Sequence, residues 1–170
     1  MKKFKLGFTL IELLIVIALL GALAVGLLAA LDPFEQLKKG TDTGVRNTVS
    51  EVHGSIIRYY AIKNYMPWCT AAGVCGTEPN GTLLSSLSTM IASIVTTGEL
   101  KTDFEALAGT GTLGKIYVTG SDTDATAAVC YAPKAKSFAN DPNTKYTSAG
   151  VEDAACPSGD PTDNCYWCVK

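Results

Sequence analysis

Histidine occurs once in this 170-residue chain, as His53, and no basic residue lies between Gly7 and Lys38. A single histidine excludes a multi-histidine metal centre, and no P-loop or zincin pattern accompanies it. The cysteines do not make up for this. Cys165-Tyr166-Trp167-Cys168 is a CxxC, but zinc would need a second matching pair, and Cys69-x5-Cys75 is not one. No strand–helix context of thioredoxin type surrounds the CxxC either. No pair of acids stands in an apolar setting suited to general acid–base work, so the sequence assigns no catalytic residue, no metal and no cofactor. Positive charge is also scarce, with 14 Lys and Arg against 16 Asp and Glu. Without residues 1–7 the balance is eleven against sixteen, a net −5. That excludes phosphate tracking over the bulk surface, and Lys134 and Lys136 read as part of a solvated loop, so no nucleic-acid site is assigned.

What the chain does have is concentrated at its start. Lys2, Lys3 and Lys5 form a basic leader that ends at Gly7, and an apolar run follows that carries one acid, Glu12. A carboxylate in bilayer hydrocarbon costs a few kcal/mol even on lenient scales, so an isolated Glu12 requires a positive partner. None is available nearby in the chain. A new amino terminus, made by cutting after Gly7 on a neighbouring copy, would supply one.

Two other readings compete for the start. A secretory signal peptide has a basic n-region and an apolar stretch, and Ala22-Leu23-Ala24 offers an A-x-A-like cleavage site, but Glu12 falls inside the would-be h-region. An ordinary single-pass anchor accounts for the length, since Leu13 to Leu31 is broken only by Gly21 and Gly26 and would span about 30 Å as helix. It does not account for Glu12 or the Gly7-Phe8 junction. In every reading the lysine leader stays cytoplasmic and the remainder lies outside.

Gly7-Phe8-Thr9-Leu10-Ile11-Glu12 resembles the processing site of type IV pilins and of the related pseudopilins of type II secretion. The resemblance runs from Lys5 to about Leu31. It implies cleavage after Gly7 by a prepilin peptidase, N-methylation of Phe8 by a methyltransferase, and neutralisation by Glu12 of the neighbouring subunit's amine during assembly. It further implies self-association into a filament, contact with pilus or secretion assembly machinery, and residence in the inner membrane before assembly. The expected product is a structural subunit of a helical pilus used for adhesion, motility or DNA uptake. A type II secretion pseudopilin and a membrane-tethered extracellular binding module are the alternatives. An enzyme is not expected; the chain reads as a substrate for enzymes.

The expected fold class is α+β: a long N-terminal helix, hydrophobic and then amphipathic, packed on a small head with a short antiparallel sheet. The segments are a leader over 1–7, a transmembrane or filament-core helix over 8–31, its amphipathic continuation over 32–62 and a globular head over 63–170. Asp32 is placed to N-cap a helix restarting at Pro33, with Glu35 at the capping-box position. Val45, Val49, Val52, Ile56 and Tyr59 or Tyr60 then step by four and three, the stripe of a core-facing helix ending near Ile62. Gly40 and Gly44 predict local weakness within it. His53 lies beside the stripe and reads as a surface or cap residue.

The next segment, Asn64 to Thr82, has turn chemistry throughout and reads as a loop; its Asn80-Gly81-Thr82 fits a glycosylation sequon but also a tight turn. A second helix is predicted over Leu83–Val95, with Gly98 as C-cap. Lys115–Thr119 and Ala125–Tyr131 read as a hairpin around Gly120–Asp124, and Cys165–Val169 as a third strand. Asp122 and Asp124, with Asp141, Asp160 or Asp163, are candidates for a calcium loop but read as solvated turns, because calcium needs six to eight oxygens and two acids in a hairpin turn supply too few. All six cysteines, Cys69, Cys75, Cys130, Cys156, Cys165 and Cys168, lie beyond the apolar run and read as disulfides of an exported domain. Six cysteines allow fifteen connectivities. The short loop favours Cys69–Cys75, and strand opposition with loop closure would complete the set as Cys130–Cys168 and Cys156–Cys165.

Overall fold

The computed structural model describes residues 7–30 and 32–170, so the lysine leader and Leu31 lie outside the described residues. Two compact units are present, the first ending at Gln36 and the second running Leu37–Lys170. The fold is α+β.

In the first unit, helix α1 spans Leu10–Ala30 and none of its residues is buried. Its 21 residues rise about 31 Å, enough to cross the hydrocarbon of a bilayer. Helix α2, Pro33–Lys63, starts where the sequence places its cap. One Asp32 carboxylate oxygen accepts the N–H groups of Phe34 at 3.1 Å and Glu35 at 3.3 Å. Despite Gly40 and Gly44, α2 is continuous. Asn64 closes it at φ 60°, its N–H donating to the Tyr60 carbonyl at 2.7 Å.

The second unit is organised on the stripe of α2, where Val45, Val49, Val52, Ile56 and Tyr59 are all buried. Strands β1 (Cys69–Ala71) and β2 (Val74–Cys75) form a two-stranded ribbon in the segment read as loop. The main sheet is antiparallel in the order β3-β4-β5-β6, with β3 at Thr82–Leu83, β4 at Ile116–Ser121, β5 at Thr126–Tyr131 and β6 at Trp167–Val169. Helix α3 covers Ser88–Thr96, shorter than the spacing predicts because Leu83 is taken into β3 and Leu84 into a single 3-10 turn. Gly98 caps α3 at φ 82°, its N–H reaching the Val95 carbonyl and that of Glu99 the Ile94 carbonyl. This is the Schellman arrangement, which satisfies carbonyls the helix end would leave unpaired. Three short helices complete the unit: α4 (Phe104–Ala108), α5 (Thr110–Leu113) and α6 (Lys136–Ala139).

The hairpin turn falls later than expected. Gly120 and Ser121 belong to β4 rather than to the turn, because the Trp68 ring lies over Gly120. A Cβ there would stand 2.6 Å from the Thr126 carbonyl oxygen and overlap the indole, so this glycine serves close approach rather than chain reversal.

Candidate processing and assembly site

The candidate site is built on the first turn of α1. Thr9 precedes the helix and Glu12 is its third residue, and the two satisfy each other. Glu12 Oε2 accepts the Thr9 N–H at 2.9 Å and the Thr9 hydroxyl at 2.7 Å, and Thr9 Oγ1 accepts the Glu12 N–H at 3.3 Å. This is a capping box, in which two donors that a helix start leaves orphaned are paired reciprocally. The Thr-x-x-Glu spacing is the sequence signature of such a box. The box also sets Glu12 at the positive end of the helix dipole. Both Thr9 contacts use Oε2, which leaves Oε1 outside the box. Gly7 and Phe8 precede the helix, and Phe8 is 77 % exposed, so the peptide bond between them stands clear of packed structure.

The cysteines are brought together in three pairs. Cys69 bridges Cys75 across the β1–β2 ribbon, Cys130 bridges Cys168 across β5 and β6, and Cys156 bridges Cys165 between Ala155 and the last strand. Asp122 lies beside the first bridge, but two sulfurs bonded to each other have no thiolate to offer a metal. The Asp122 carboxylate instead accepts the Met66 N–H at 2.6 Å, while its own N–H donates to Glu78 at 2.7 Å, so this acid ties the hairpin to the segment after α2. Asp141 accepts from Arg46 at 3.2 Å and from the Asn143 N–H at 2.9 Å, and Asp160 accepts from Thr162. Of the candidate calcium ligands, these three serve local structure.

Two polar residues that sequence reasoning did not single out anchor the C-terminal part of the head. Asp42 is buried, and its Oδ2 accepts the N–H groups of Lys134 at 2.8 Å and Ala135 at 2.7 Å. One turn on, the Arg46 guanidinium lies between the rings of Phe138 at 4.5 Å and Trp167 at 4.3 Å while pairing with Asp141. Stacking of this kind suits the planar guanidinium and would be lost with lysine.

His53 is half-buried rather than at the surface, its ring against a cavity and its Nε2 shielded. Burial pushes its pKa below the ordinary 6.5, opposed by a hydrogen bond to the Ala127 carbonyl. The folded state therefore prefers the neutral ring. Its contribution to stability is fully present above about pH 6.5 and is lost as pH falls towards the lower folded value. His53→Gln is expected to flatten the dependence of the urea midpoint on pH just below 6.5, read by fluorescence of Trp68 and Trp167. An unchanged slope would show that other groups set it.

Residues 2–28 match the family model of the prokaryotic N-terminal methylation motif. The chain thus carries the class III signal peptide of type IV pilins and pseudopilins. No curated protein and no solved structure matches it. The motif supports a type IV pilin-like or pseudopilin protein, and together with α1 it fits membrane anchoring.

Proposed function

We propose that this chain is a prepilin whose mature form polymerises into a type IV pilus filament. The observation that carries the reading is the methylation motif over residues 2–28 joined to a 21-residue apolar helix that buries nothing. In this reading residues 1–7 are the leader removed by the peptidase, and Phe8 becomes the methylated terminus. Residues 8–31 anchor the subunit in the inner membrane and later form the filament core; residues 32–62 continue the helix, and residues 63–170 form the displayed head. A helix apolar all round needs either lipid or other such helices about it, and filament growth exchanges one for the other. The bridges suit a head outside the cytoplasm, where disulfides persist.

Mass spectrometry of the mature protein is the test. The expected N-terminal peptide begins at Phe8 and is heavier by one methyl group, and electron microscopy of sheared cell-surface material shows filaments built of this chain. A chain beginning at Val25 would mean ordinary signal cleavage and would overturn the reading. Filaments only in the envelope, with none at the surface, would assign a pseudopilus instead.

A further inference from the structure

Strand β6 covers only half of β5. It pairs Val169, Cys168 and Trp167 with Val129, Cys130 and Tyr131, whereas Thr126, Ala127 and Ala128 pair only with β4. The Cα atoms of Cys130 and Cys168 are 4.1 Å apart, the close spacing of a non-hydrogen-bonded antiparallel pair. Val129 and Tyr131 therefore exchange the hydrogen bonds with β6, and Ala127, two residues back from Val129, turns its N–H and C=O to the same side, where no strand stands.

That uncovered edge opens into a cavity of about 580 Å³, the size of a small-molecule site. His53 and Ile57 of α2 line it with Ala127, Ala128, Gly150 and Lys170. The His53 ring faces the cavity with its Nε2 buried and without a hydrogen-bond partner. Lys170 Nζ is fixed at the wall by the Gly150 carbonyl at 3.1 Å, with two further N–H bonds to give. No lining side chain is acidic. The polar groups are thus a backbone N–H, an ammonium and an imidazole, and the rest of the wall is alanine, glycine, threonine and Ile57.

We propose that this cavity binds a small organic carboxylate on a short apolar body. The carboxylate oxygens accept from the Ala127 N–H and the Lys170 ammonium, and the body lies against Ile57, Ala128 and the uncharged His53 ring. Backbone N–H and ammonium are the donor pair that suits an anion partly withdrawn from water. An amine would face Lys170 with like charge. The inference does not depend on filament assembly, since every residue it uses lies within Leu37–Lys170.

The test uses the full chain in lipid nanodiscs, with alanine methyl groups labelled for NMR and sodium butyrate as the probe. Saturable shifts of the Ala127 and Ala128 methyls are expected with butyrate and none with butylamine. In Lys170→Met, loss of a charge-assisted hydrogen bond weakens binding by about tenfold or more. Trp68 and Trp167 fluorescence checks that the variant is folded, and His53→Ala supplies a second variant from the opposite wall. Shifts that never saturate, that are the same with butylamine, or that survive Lys170→Met unchanged would overturn the proposal.

Discussion

Asp42→Ala is expected to destabilise the head by about 2–4 kcal/mol, more than any surface substitution. The carboxylate takes two N–H groups, those of Lys134 and Ala135, and Ala135 is fully buried. Removing the acceptor strands both donors where water is scarce, and an unpaired buried donor costs roughly 1–3 kcal/mol. Alanine also leaves a void beside α6, which a well-packed interior fills only in part. Asp42→Asn keeps one carbonyl oxygen in place and should cost roughly half as much, because the weaker neutral acceptor replaces a charged one. Urea unfolding followed through Trp68 and Trp167 measures both variants. Asp124→Ala, in the exposed hairpin turn, is the control and should lie within about 0.5 kcal/mol of the parent. A cost for Asp42→Ala no larger than that of the control would mean that the 134–135 segment finds other partners and that Asp42 is not its anchor.

The position of Asp42 also shows where sequence periodicity stops informing. Counting back three from Val45 along the steps 45, 49, 52, 56 and 59 lands on residue 42, so the stripe itself marks the site as buried. What the period could not supply is the partner, 92 residues away and set by the turn after β5. Arg46 is hidden for the same reason: its two rings come from α6 and β6. Local signals with local causes were legible. Asp32 capped α2, Gly98 closed α3, and the alternating residues of β4 and β5 paired as a hairpin. The short elements were not. Strand β3 is two residues held by the edge of β4, and α4 and α5 lie in a run rich in Gly, Thr and Ala with no long period to read. Gly120 was misplaced because turn and close approach call for the same residue, and only the distant Trp68 tells them apart. At the candidate assembly site the order is reversed. The motif and its Thr-x-x-Glu spacing are plain from Gly7 to Glu12, while the single carboxylate oxygen that takes both Thr9 contacts shows only in the folded helix.

That box makes the Glu12 prediction sharper than charge alone allows. The carboxylate has two separable tasks, to close the first turn of α1 on Thr9 and, in the proposed filament, to meet the amine of the next subunit. Glutamine can do the first, since Glu and Gln both serve as the third residue of a capping box, but it brings no charge to the second. Alanine does neither. Both variants should enter the membrane at least as well as the parent, because a costly charge has been taken out of hydrocarbon, and both should still be cut after Gly7. If the charge drives assembly, Glu12→Gln and Glu12→Ala fail alike. An amine buried without its partner costs about 3–5 kcal/mol, roughly two to four orders of magnitude in subunit association. The measurement is the yield of sheared filaments per processed subunit in the membrane, with Thr9→Val, which loses the hydroxyl but keeps the backbone N–H, as the control for the cap. Filaments from Glu12→Gln at the parental level beside none from Glu12→Ala would reassign Glu12 to helix capping. Parental yields from both would remove it from assembly altogether.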